Sequence, residues 1–148
     1  MALLFVAVVA LLVALVQRPE SAAHRRAAAI SVSERFTVAL ATYDYRHLDQ
    51  DFARVRALSS GAFRGEYDST LTSVRSSLLT NHAVAAAKLV AGPYLVSIGG
   101  NEAKTYTVVT QSVTGTDVSG TAQRTSRIEL TLVDTSAGWR VEHVSRGA

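Results

Sequence analysis

The chain contains no cysteine, which excludes disulfides, thiolate nucleophiles, CxxC redox chemistry and thiolate metal sites, while leaving an oxidising compartment open. Histidine is equally unhelpful to metal chemistry. His24, His47, His82 and His143 stand far apart, with no HxxxH or HExxH spacing to supply a local ligand pair. There is no GxGxxG turn, no GxxxxGK[ST] loop and no GxSxG elbow, so nucleotide cradles and serine hydrolase geometry have no support. Charge is sparse at 18% of residues, and no Lys/Arg stripe with interleaved aromatics accompanies the net charge of +3. Nucleic acid is therefore not an expected partner, and no cofactor is expected.

What the sequence does have is grease at its start. From Met1 to Val16 no side chain is polar. As a helix this run spans about 24 Å, slightly less than a hydrocarbon core of about 30 Å, and Gln17 and Arg18 can snorkel to extend it. A cleaved signal peptide is the rival reading. It lacks a basic segment ahead of the apolar run, and the one small-residue site, Ser21-Ala22-Ala23, lies behind Arg18, Pro19 and Glu20. A retained single-pass anchor over residues 1–17 is the expectation. Arg18, Arg25 and Arg26 follow it where basic side chains meet headgroups, so the high calculated pI of 9.6 reflects membrane proximity as readily as anything else. Taken literally, the positive-inside rule would put these arginines in the cytoplasm.

After Pro19 the Ala-rich stretch from Ser21 to Ala41 reads as a long helix. Residues 18–30 are expected as a stalk, and residues 31–148 as one folded domain. Val32, Phe36, Leu40 and Tyr43 then recur at spacings of three and four, turning one helix face into core. Leu48, Phe52, Val55 and Leu58 mark a second, shorter helix with Asp49 and Asp51 in its first turn, where carboxylates suit the helix dipole. Its charged side, with Asp49, Asp51, Arg54 and Arg56, reads as a solvated surface. Gly61 separates it from a third helix carrying Phe63, Tyr67, Leu71, Val74 and Leu78, which ends near Asn81.

Beyond His82 the period changes to two, and four strands are expected. They cover roughly residues 84–98 with a bend at Gly92-Pro93, then 103–113, 122–134, and a last one from Trp139. Strict alternation on the last strand puts Trp139, Val141 and His143 on one face, with Arg140, Glu142 and Val144 on the other. Helices first and meandering strands afterwards indicate an α+β fold: an N-terminal transmembrane helix, then a cone of about three helices packed on a curved, mainly antiparallel four-stranded sheet.

The segment Phe36-Thr-Val-Ala-Leu-Ala-Thr-Tyr43-Asp44-Tyr45-Arg46-His-Leu48-Asp49, preceded by the apolar run and followed by Gly138-Trp139-Arg140-Val141, resembles the Mce-associated membrane proteins of actinobacteria. That resemblance implies a SnoaL-like, nuclear-transport-factor-like cone, also seen in VirB-type scaffold subunits of type IV secretion, held at the outer face of the cell membrane. It implies an accessory role beside an Mce importer of fatty acid or sterol, with transporter subunits (permease or substrate-binding proteins) and the bilayer as partners. It carries no catalytic motif.

Tyr43, Asp44, Tyr45 and Arg46 form the densest polar cluster, placed where the first helix hands over to the second. The ordinary use of such residues is structural: Asp44 satisfies backbone N–H groups or pairs with Arg46, and Tyr43 continues the buried stripe. A catalytic use, as in a SnoaL-like isomerase or hydrolase, would need Tyr43 or Tyr45 to converge with a carboxylate such as Asp44 or Glu129. Trp139 reads as a core anchor and His143 as a wall or cavity-lining residue beside it. A hollow cone would offer a second role, holding a lipid or sterol and handing it along the envelope.

Overall fold

The computed structural model describes residues 21–147. The anchor expected over residues 1–17 lies outside them; among the described residues no helix is long and apolar enough to cross a membrane.

Helix α1 (Ala22–Ala41) begins at Ser21, whose Oγ accepts the His24 N–H at 3.2 Å and so satisfies one of the free amides of the first turn. Alanine lets it run for 20 residues without crowding the backbone. Its inner stripe is Ala29, Val32, Ser33, Phe36 and Thr37, all buried. Residues 22–30, read as a stalk from sequence, run in this same helix, with Ala29 fully buried. The chain then crosses a two-residue strand, β1 (Tyr43–Asp44), into α2 (Leu48–Ala57) and α3 (Gly61–Thr80). Both helices lie within a residue or two of the bounds that their apolar spacing predicts.

Four longer strands follow as successive hairpins: β2 (Val84–Gly99), β3 (Glu102–Thr114), β4 (Ala122–Thr135) and β5 (Gly138–Arg146). The sheet is antiparallel throughout, in the order β1-β2-β3-β4-β5. It therefore has five strands, one more than expected. The extra one is β1, with Asp44 opposite Val84 and Tyr43 opposite Ala85; two residues are too few to show a period.

β2 departs from regular pairing with β3 at three places between Leu89 and Ser97, and this irregularity lets so long a strand bend with the sheet. Gly92 sits there at φ +79°, with the carbonyl oxygen of Tyr106 only 2.7 Å from where a Cβ would stand, so both backbone conformation and space require glycine. The inward residues of the sheet, Thr105, Val109, Leu130, Leu132 and Val141, close on α1 through Phe36. Leu130 and Leu132 are fully buried, each contributing roughly 1.5–3 kcal/mol of apolar burial. Ser33 and Thr105 meet through their hydroxyls at 2.8 Å, while Ser33 also donates to the Ala29 carbonyl, so the polar pair at the helix–sheet contact is satisfied. A smaller cluster of Leu48, Phe52 and Leu71 joins α2 to α3.

Strand β5 breaks the alternation that its sequence predicts. Thr131 pairs with His143, but the adjacent Leu132 pairs with Val141, leaving Glu142 as the extra residue of a bulge. Trp139 and Val141 point into the core, and after the bulge Val144 does so instead of His143. His143 is exposed, so it neither lines a cavity nor shares the face of Trp139. The two sheet edges also differ. The β5 edge is engaged at Val141 by the α2–α3 linker, where Ser60 N–H donates to the Val141 carbonyl at 2.7 Å and Val141 N–H donates to the Leu58 carbonyl at 2.9 Å. On its outer side β2 pairs with β1 at only Val84 and Ala85, and among the described residues no strand pairs with it from Ala86 onward.

Candidate functional site

The Tyr43–Arg46 cluster is a chain-turning device. Asp44 accepts the Arg46 backbone N–H at 2.9 Å and the Arg46 Nε–H at 2.9 Å, an Asx-type turn closed by a charge-assisted fork. The guanidinium hydrogen bonds hold the Asp44 carboxyl down at about 2, so it is ionised and committed to Arg46. His47 N–H returns to the Asp44 carbonyl at 2.8 Å, and Tyr45 N–H donates to the Ala83 carbonyl at 3.0 Å, extending the β1 contact by one residue. The Tyr45 ring meets His82 edge-on at 4.8 Å, with Arg46 over its other neighbourhood at 5.8 Å from the ring centre.

Asp51 anchors this turn from beneath. It is 6% exposed and accepts the Asp44 backbone N–H and the Arg54 guanidinium, each at 2.8 Å. The solvated surface expected for this side of α2 is therefore corrected at Asp51, although Asp49 does stand exposed, paired with Arg75 of α3. Sequence spacing gave no sign that β1 would offer an unpaired amide to this carboxylate.

Tyr43 faces a different way, into an open cavity of about 550 Å³ between the sheet and the helices. Its walls are mainly apolar, from Leu40, Phe63, Tyr67, Val109 and Ile128, with Gln111, Glu66 and Arg146 supplying polar groups. Burial pushes the Tyr43 phenol up, an effect that Arg124 opposes. Tyr67 stacks on Phe63 at 5.7 Å, meets Phe52 edge-on at 6.2 Å, and is pushed up to about 12 by burial. The apolar stripe of α3 sets Tyr67 one turn after Phe63, and Phe52 of α2 meets it from the neighbouring helix.

The acid–base convergence that catalysis would need is not formed by the residues put forward for it. Asp44 is bound to Arg46, and Glu129 lies on the sheet face opposite Ile128 and Leu130. Trp139 is 3% exposed and sits in the main apolar core, and it is not among the residues that line the cavity beside Tyr43. Its ring carries the Arg25 guanidinium at 5.4 Å, a contact with no counterpart in the sequence reading.

No protein-family profile matches the sequence, and no curated protein matches it. Solved structures do. An IcmL-like type IV secretion system protein from Legionella pneumophila superposes with a TM-score of 0.70 at 14% identity, over 82% of this chain and 91% of that one. The periplasmic domain of DotI gives 0.66 at 11% identity, over 88% and 98%. CagV, a VirB8 homologue from Helicobacter pylori, gives 0.65 at 11% identity, over 81% and 96%. A protein described as NTF2-like and involved in plasmid conjugation gives 0.56 at 11% identity, over 84% of this chain and 49% of that one. At such identities the likeness speaks for the fold alone: residues 21–147 form an α+β cone of the same fold as the IcmL-like protein, the DotI periplasmic domain and CagV.

Proposed function

We propose that this chain is a non-enzymatic accessory protein of the cell envelope, in which residues 1–17 anchor the cone at the extracytoplasmic face and the cone docks on subunits of an Mce-type lipid or sterol importer. The observation that carries the reading is the outer edge of β2. Val90, Tyr94 and Val96 are 62%, 58% and 60% exposed, on a strand that, among the described residues, pairs with nothing beyond Ala85 on that side. Such an edge offers both main-chain hydrogen bonds and apolar side chains to an extended segment of a partner subunit, as in strand addition. The opposite edge, β5, is engaged at Val141 by the α2–α3 linker. Tethering in the membrane plane raises the effective concentration of this edge beside a membrane-embedded partner, so modest contacts suffice.

Co-purification in mild detergent tests the proposal. The tagged chain should recover permease or substrate-binding subunits of an Mce-type importer, and a Val90→Asp/Val96→Asp double variant should not. Recovery that is absent in the wild type under conditions preserving the importer contradicts it.

The cavity beside Tyr43 favours a second reading, in which the cone binds a lipid or sterol and passes it along the envelope. Its size and aromatic wall suit an apolar moiety with one hydroxyl near Tyr67 or Gln111. Native mass spectrometry of the membrane-extracted protein separates the readings. A co-purifying lipid displaced by Phe63→Trp supports cargo binding, and an empty protein opposes it.

A further inference from the structure

A second groove, of about 650 Å³, runs between α1 and the β4–β5 hairpin, away from the cavity. Three arginines line it, Arg25, Arg35 and Arg140, against a single carboxylate, Asp134. Arg25 is fixed: its Nη2 donates to the Gly100 carbonyl at 2.6 Å, lies 3.3 Å from Asp134, and its guanidinium rests over Trp139. That pairing uses the only acid. Arg35 is held through Nε to the Ser31 carbonyl at 3.4 Å, and Arg140 through Nη1 to the Trp139 carbonyl at 2.8 Å. Neither forms an ion pair with a carboxylate among the described residues, and each guanidinium keeps further N–H donors. Arg35 is exposed and Arg140 half-buried, so the groove is open to a ligand of opposite charge.

The placement of the groove selects the anion. Arg25 sits in the second turn of α1 and ties it to the β2–β3 turn at Gly100 and to Asp134 at the end of β4. Only residues 17–20 separate the apolar run from Ser21, the N-cap of α1, so at about 3.5 Å per residue the helix starts no more than roughly 18 Å from the end of that run. With residues 1–17 as a membrane anchor, the hairpin end of the cone would be held at headgroup depth. Phosphates of anionic lipids are concentrated there, and guanidinium forks match phosphate oxygens.

We propose that this groove binds the phosphate of an anionic phospholipid headgroup, with Arg35 and Arg140 as its ligands and the Arg25–Asp134–Trp139 contact as its preformed wall. The assignment rests on the anchored reading of residues 1–17 and adds a site to it. Occupancy would orient the cone on the membrane, presenting β2 in a fixed attitude.

Trp139 is the sole tryptophan, so its emission reports on the groove without interference. The test titrates the full chain in neutral detergent with dihexanoyl phosphatidylglycerol and follows Trp139 fluorescence. A saturable change is expected, weakened at least tenfold in Arg35→Gln/Arg140→Gln and abolished in Ser31→Glu, which sets a carboxylate at an exposed groove position. Arg26→Gln, outside the groove, stays within twofold of wild type. An equal response to dihexanoyl phosphatidylcholine, or to inorganic phosphate alone, overturns the anionic-lipid assignment, as does a response unchanged by the arginine substitutions. Circular dichroism of each variant separates lost binding from lost folding. Vesicle flotation after alkaline carbonate washing tests the anchor independently, since a failed anchor releases the protein from vesicles without altering the detergent titration.

Discussion

Replacing Asp51 by alanine tests the way the first turn of the cone is held. Asp51 is a buried carboxylate with two partners, the backbone N–H of Asp44 and the guanidinium of Arg54. Removing it leaves the Asp44 amide without its charged acceptor, a loss worth about 1.5–3 kcal/mol. The ion pair adds little, because the Arg54 side chain is 54% exposed and such pairs contribute about 0–1 kcal/mol. Asp51→Ala should therefore cost about 1.5–4 kcal/mol, and Arg54→Ala less than about 1. Asp51→Asn, which keeps an oxygen for the Asp44 amide, should fall near 1 kcal/mol. Urea unfolding of the full chain in mild detergent, followed by Trp139 emission, gives these differences. Hydrogen exchange adds a local readout, with the amides of Asp44 and Tyr45 losing protection before those of β3 and β4. If Asp51→Ala lies within about 0.5 kcal/mol of wild type, the side chain is not buried under β1 and the account of the turn is wrong.

Other expectations are as concrete. Leu130→Ala, in the middle of the sheet and fully buried, should cost about 2–5 kcal/mol, while Val74→Ala, 37% exposed on α3, should cost less than about 1; chemical denaturation compares them. Asp44 titrates at about 2 in the folded protein, below its unfolded value, so its contribution is complete above about pH 4 and fades as pH falls through 2. The stability gap between wild type and Asp44→Asn should shrink over that interval, with carboxyl NMR shifts giving the midpoint. The Tyr67 phenol, held up near 12, favours its neutral form, so folding loses stability as pH rises from about 10 through 12. Tyr67→Phe should flatten that alkaline slope, measured by thermal unfolding at each pH.

Long periodic elements were legible from residue order. The stripe Phe63, Tyr67, Leu71 set α3, and the switch to alternation after His82 set four strands to within a residue or two. The failures are local and share a cause: pairing partners decide them, and composition does not reveal partners. β1 is two residues long and exists because Val84 and Ala85 lie beside it. A single bulge at Glu142 turned His143 outward and Val144 inward, reversing the predicted faces for the end of β5. Asp51 reads as a surface acid until the free amide of Asp44 is placed over it. Of the residues singled out for chemistry, Asp44 and Arg46 bond to each other and Trp139 is buried in the core. The arginines of the α1 groove come from segments more than one hundred residues apart, a distance over which sequence spacing carries no signal.

The docking edge is tested most directly by photo-crosslinking in intact membranes, from a photoreactive residue placed at Val96 on β2 and, in parallel, at Glu142 on β5. Both positions are exposed, and neither belongs to the core. Adducts with an Mce-type permease or substrate-binding subunit should form from position 96 and be absent from position 142. Adducts from 142 alone, or none from 96 in membranes that contain the importer, would contradict the role assigned to this protein.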